Sequence, residues 1–156
     1  MKSKMILMCA VFSVLSFSSC NPDEEETTDT PATTPTLYTR LGGVDAITAV
    51  VDQFLANVVA DDVINDQFSA TVADPYRTQL LRFNLIDQIC AASGGPCQYK
   101  GLTMMEAHDG MNITDDEFNA LVGDLVAALN TFSVPSAEQT ELLTILGSLQ
   151  PEIVGQ

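Results

Sequence analysis

The chain has 156 residues, with 6 Lys+Arg against 21 Asp+Glu, a formal net charge of −15 at pH 7, four cysteines, one histidine and no tryptophan. So acidic a chain lacks the basic surface that a phosphate backbone demands, which argues against nucleic acid as a partner. It also keeps the body away from anionic head groups, so any membrane attachment has to come from elsewhere.

The first twenty residues place Lys2 and Lys4 before an apolar run from Met5 to Phe17, followed by Ser18-Ser19-Cys20, the three-part pattern of an export signal. A cysteine directly after small residues resembles the cleavage and acylation point of a bacterial lipoprotein, which makes Cys20 the expected lipid anchor. An ordinary secretory signal and an uncleaved anchor are the other readings, although the run is short for a membrane span. Residues 21–36 begin with the acidic run Asp23-Glu24-Glu25-Glu26 and continue Pro/Thr-rich, with no large apolar side chain, the composition of a disordered tether. An acidic run behind a lipidated cysteine resembles a surface-export signal of bacterial lipoproteins. The expected location is therefore the cell envelope, at the outer membrane and exposed on its surface, with the membrane reached only through a lipid on Cys20. Cleavage removes two basic and no acidic residues, leaving 4 Lys+Arg against the 21 acids. The remaining body, residues 37–156, has the length of one domain.

In that body the apolar spacing is helical. Ile47, Val50, Val51, Phe54, Leu55 and Val58 share a face of a helix that starts near Val44. A second helix spans Pro75 to Ala92 with Leu81, Leu85, Ile86 and Ile89 inward, and Pro75 suits a first helical position. Thr114-Asp115-Asp116-Glu117 is a capping box that opens a third helix, whose stripe runs from Phe118 through Leu121, Val122, Leu125 and Leu129 to Phe132. Ser136-Ala137-Glu138-Gln139 repeats the device behind Pro135, ahead of Leu142, Leu143, Leu146 and Leu149, and Pro151 ends or bends this last helix. No strand-length alternation and no repeat is present, so the fold class is all-α.

Gly42-Gly43 and Gly94-Gly95 interrupt the helices, and each pair marks a sharp change of direction or a close backbone approach. Between Gly94 and Thr114 lie about twenty residues with little helical patterning, a length that in a compact domain is usually functional. His108, the only imidazole, lies in that stretch. Taken by itself, a lone histidine is more often a surface or core residue than a ligand.

Leu37-Tyr38-Thr39-Arg40-Leu41-Gly42-Gly43, Gly94-Gly95, Tyr99-Lys100-Gly101 and Met105-Glu106-Ala107-His108 together resemble a group I truncated haemoglobin, and the similarity continues to about Val154. The resemblance implies a two-over-two helical globin sandwich that binds haem. It makes His108 the proximal ligand of the haem iron, a role a neutral imidazole suits, with the opposite axial position open to a diatomic gas. It also implies that Phe68 packs on the haem and that Phe54, Leu55, Leu81 and Leu85 face the distal side. Lys100 or Arg82 is the implied partner of a haem propionate. Met104, Met105 and Met111 flank the proximal turn, and Met105 is expected to contact the haem by packing rather than by ligation.

One departure concerns the distal side. Where the family commonly has a tyrosine after a phenylalanine, this chain has Leu55 after Phe54, so the hydroxyl donor is missing. Gln88 and Gln79 are the remaining donors, Gln88 the nearer. A lost hydrogen bond of about 1–3 kcal/mol lowers oxygen affinity roughly tenfold or more, whereas nitric oxide and carbon monoxide need that bond less.

Cys90 and Cys97 flank the second glycine pair. In an exported protein they pair as a disulfide or remain two buried thiols, and their spacing does not fit a Cys-X-X-Cys redox or zinc motif. The leading function is reversible binding of oxygen, nitric oxide or carbon monoxide by a haem globin served by an unidentified reductase. The alternatives are a haem redox enzyme acting on nitric oxide or peroxide, for which no acid–base pair stands near the pocket, and a haem-free globin-like surface module.

Overall fold

A computed structural model of the chain describes residues 34–156. The expected signal segment, Cys20 and the expected tether up to residue 33 lie outside the described residues. Thr36, expected to close the tether, already belongs to the domain: its hydroxyl accepts from the Thr39 amide at 3.3 Å and caps α1 (Leu37–Arg40).

The helices that follow are α2 (Gly43–Ala60), α3 (Asn65–Val72), α4 (Pro75–Ala92), α5 (Met104–His108), α6 (Asp115–Thr131) and α7 (Ser136–Gly147), with a 3-10 turn at Gln150–Glu152. Among the described residues there is no strand. α2 packs on both α4 and α6, and α6 on α7, so the α2/α4 pair lies over the α6/α7 pair.

Sequence explains the helix starts in detail. Asp74 accepts from the amides of Tyr76 and Arg77 with Pro75 just inside, and Thr114 and Glu117 close a full capping box on α6. The expected box at Ser136 does not form. Ser136 is itself the first helical residue, extended Pro135 holds the cap position, and no side chain caps the helix. Phe132, expected in the α6 stripe, falls beyond the last helical residue and is 46 % exposed.

α2 is long and apolar enough to cross a membrane, but its apolar face is packed inside the domain. Val51 and Val58 from α2, Cys90 from α4, Leu129 from α6 and Leu142 from α7 are fully buried and form the centre of the core. Burying an aliphatic side chain of this size contributes about 1.5–3 kcal/mol. α1 is tied to α7 by Arg40, whose guanidinium donates to Glu138 at 3.0 Å and also pairs with Glu141.

The two glycine pairs do different work. Gly42 and Gly43 both have positive φ, at 94° and 79°, and turn the chain from α1 into α2. In the second pair only Gly94 needs positive φ, at 83°. Gly95 is required for space, because a Cβ there would lie 2.5 Å from the Tyr38 ring and 2.7 Å from the Cys90 carbonyl oxygen. Beside it, Cys90 and Cys97 form a disulfide with a Cα–Cα distance of 5.7 Å.

Candidate functional site

The stretch between Gly94 and Thr114 holds one short helix that apolar periodicity alone does not reveal. Thr103 accepts from the Glu106 amide at 3.2 Å, and the Glu106 carboxylate accepts from the Thr103 amide at 3.1 Å, a capping box that starts α5. The Thr103 hydroxyl, which donates to the same carboxylate at 2.8 Å, and the Thr103 amide hold the Glu106 carboxyl below its ordinary range. The turn after α5 is held by the end of the chain, where Asn112 N–H donates to the Gln156 carbonyl at 2.5 Å and Gly155 N–H to the Ile113 carbonyl at 2.9 Å.

His108 ends α5 half-buried, with Nδ1 2.7 Å from the Met104 carbonyl oxygen. A carbonyl only accepts, so Nδ1 carries a proton, and in the neutral form of the ring the lone pair is on Nε2. This is how a metal-ligating imidazole is oriented by its other nitrogen.

His108 lines a cavity of about 280 Å³ together with Phe54, Phe68, Leu81 and Leu85, as the sequence leads one to expect. A second lobe of about 140 Å³ shares His108, Phe54, Leu85, Gln88 and Met104 with the first and continues toward Leu143 and Leu146. Leu55, Met105 and Lys100, all expected at the site, stand outside both lobes. Leu55 follows Phe54 by one position, a rotation of about 100° on a helix, and packs half-buried against the main core. Met105 is turned away from Met104 in the same manner and is 54 % exposed. Lys100 is exposed, and the cavity receives its neighbour Tyr99 instead.

The other implied propionate partner is engaged elsewhere. Arg82 donates twice to the Asp52 carboxylate, at 2.5 and 2.8 Å, and holds the Asp52 carboxyl below its usual range. None of the cations among the described residues lines the cavity. Gln88 does line it, but its amide donates to the Met104 sulfur at 3.4 Å; Gln79 is exposed and lies outside.

The cavity's polar fringe contains residues that the sequence reading did not single out. The Gln67 amide donates to Glu117 at 2.8 Å, and this bond, with those from Thr114, keeps the Glu117 carboxyl low. The Tyr99 hydroxyl donates to the Leu102 carbonyl at 2.7 Å, and burial pushes its pKa up. Asn84 and Thr71 complete this fringe, while Phe118, Leu121 and Ile153 form an apolar floor. Asn84 falls one turn before Gln88 on the face already marked by Leu81 and Leu85, which was the available signal; for the α6 floor residues, helical spacing marked only a core stripe.

An imidazole whose Nε2 makes no hydrogen bond, set in a two-lobed apolar cavity that α3, α4, α5 and α6 surround, fits a flat apolar group carrying a metal ion. Two crossed helix pairs with such a cavity define a globin of the short, two-over-two kind. Comparison with known proteins agrees: the family model described as bacterial-like globin matches residues 36–154. The chain is 34 % identical over 117 residues to the Group 1 truncated hemoglobin GlbN of Mycolicibacterium paratuberculosis, covering 75 % of this chain and 82 % of that protein. Its fold superposes on the Fe(III) truncated hemoglobin of Tetrahymena pyriformis with a TM-score of 0.71 at 30 % identity, over 78 % of this chain and all of that one. It also superposes on a Synechococcus 2/2 hemoglobin with covalently attached heme, TM-score 0.66 at 31 % identity, over 74 % of this chain and 94 % of that one. The chain belongs to the bacterial-like globin family, among the group 1 truncated haemoglobins, and its cofactor is haem.

Proposed function

We propose that this protein is an exported, lipid-anchored haem globin that binds oxygen or another diatomic gas reversibly, with His108 Nε2 as the iron's protein ligand. The observation that carries the reading is the Nδ1 contact to the Met104 carbonyl, which leaves Nε2 bare inside an apolar cavity. When bound, the haem would supply the iron for reversible binding of oxygen, nitric oxide or carbon monoxide. The chain holds the group by apolar contact from Phe54, Phe68, Leu81 and Leu85, which also exclude water. Gln67 and Gln88 already donate to Glu117 and Met104, and Asn84 is the cavity amide without a side-chain partner. Position 55 carries leucine where the family commonly has a tyrosine, so oxygen, which gains most from a hydroxyl donor, is held less tightly than in a globin with one, by about tenfold.

The export-type leader and Cys20 support attachment at the cell envelope, and the acidic body supports a lipid rather than a protein face as the membrane contact. A reductase that returns electrons to the iron is the remaining partner. The test is the absorption spectrum of the chain lacking its first twenty residues, titrated with haemin. A Soret band of one haem per chain, shifted by carbon monoxide after reduction, is the expected result; a folded protein that takes up no haem refutes the reading. Mass spectrometry of the membrane fraction tests the anchor, which an unacylated mature Cys20 removes.

A further inference from the structure

The wall of the cavity between α4 and α5 is fastened unevenly. After His108 the chain is clamped by the two backbone hydrogen bonds to residues 155 and 156. Before α5, residues 96–102 make no backbone–backbone hydrogen bond, yet Tyr99 and Leu102 of this segment line the cavity. The Tyr99 hydroxyl bonds only to Leu102 within the same segment. The segment's covalent tie across to α4 is the Cys90–Cys97 disulfide, just after the Gly95 N–H bond to the Cys90 carbonyl at the segment's start. Its Cys90 end is fully buried in the core, two residues after the cavity residue Gln88.

Building on the haem reading above, we propose that this disulfide is a redox-controlled latch on the haem cavity: oxidised, it holds the 96–102 wall closed, and reduced, it lets haem leave. Cys97 is partly exposed whereas Cys90 is not, so an external dithiol meets Cys97 first. Its thiolate attacks the Cys97 sulfur, the S–S bond breaks, and Cys90 leaves as a thiolate that takes up a proton. The dithiol's second thiolate then attacks its own mixed-disulfide sulfur and releases Cys97, so two electrons pass to the protein and the dithiol becomes the disulfide. An oxidising envelope thus keeps the cavity shut after export, and a dithiol reductant opens it.

The test follows transfer of ferric haem from the loaded protein to excess apomyoglobin, before and after dithiothreitol treatment and removal of the reagent under nitrogen. Reduction is expected to speed haem release about tenfold, and Cys97→Ser to match the reduced protein and to ignore dithiothreitol. Gln139→Ala, which removes the side-chain bonds to Asn130 and Val134 in the α6–α7 turn and touches neither the cavity nor the Cys90–Cys97 turn, is expected to lower Tm without speeding release. Equal release from oxidised and reduced protein overturns the latch, as does acceleration by Gln139→Ala equal to that by Cys97→Ser, since the disulfide then acts only through global stability. If Cys97→Ser does not fold, the dithiothreitol comparison on the wild type still decides. Absence of a Soret band in the oxidised protein is a different failure, that of the haem reading itself.

Discussion

The two sides of this molecule are built differently. On one, α2, α6 and α7 bring Val51, Val58, Leu129 and Leu142 into full mutual burial. On the other, α3 and α5 have no buried residue at all, although Gln67, Phe68 and Thr71 from α3 and Met104, Ala107 and His108 from α5 face the cavity. The first side carries its own core within the chain. On the proposed reading the second is a wall whose core is the cofactor, so its helices are expected to firm up when haem binds and stabilises the folded state by mass action.

Substitutions on the two sides should therefore separate. Leu129→Ala leaves a hole in a closed core and is expected to cost about 2–5 kcal/mol in denaturant unfolding, with or without haem. A loss much below that would mean the self-packed side is looser than its burial implies. Phe68→Ala, already half-solvated, is expected to cost clearly less in the haem-free protein, and to show itself mainly as faster haem loss. Equal costs for the two variants would erase the contrast. Thr114→Ala removes the cap of α6 at the border of the two sides and is expected to cost about 1 kcal/mol.

A smaller effect comes from ionisation. One carboxylate oxygen of Asp124, on α6, is buried without a hydrogen-bond partner, and desolvation together with nearby Asp61 raises its pKa. A raised acid pKa in the fold means that the folded state binds the proton more readily, so this group's penalty grows as pH rises through the folded value and vanishes below the unfolded one. Asp124→Asn should raise Tm modestly at pH 7, by an amount that shrinks as pH falls from the raised folded value toward the ordinary aspartate range and is absent below it. Glu117, held low by Gln67 and Thr114, works in the opposite sense: its contribution is present above the unfolded pKa and fades as pH falls through the folded one.

Much of this was legible in the residues, for reasons that can be named. The long helices follow from apolar spacing, and the α4 and α6 starts from Asp74-Pro75 and from the Thr114/Glu117 box. α5 was readable in principle, because Thr103 and Glu106 carry the same capping spacing; its five residues are too few to show periodicity. The cavity lining was less legible. Phe54 and Leu55 are adjacent apolar residues, and only packing decides which of them turns to the cavity. Lys100 and Arg82 are plausible propionate partners in sequence, but one points to solvent and the other is claimed by Asp52. Ser136 shows the limit of a motif: the residue types of a box are present, yet the helix begins one residue too early for its hydroxyl to cap.

The central claim is that α3 and α5 surround haem and that His108 ligates its iron. Haemin titration of the wild type and of His108→Ala, followed by absorption in the Soret region, tests it most directly. The account predicts one tightly bound haem in the wild type with the spectrum of a single axial imidazole, and in His108→Ala a folded protein whose haem is weakly held and lacks that spectrum. An unchanged spectrum in His108→Ala would contradict it.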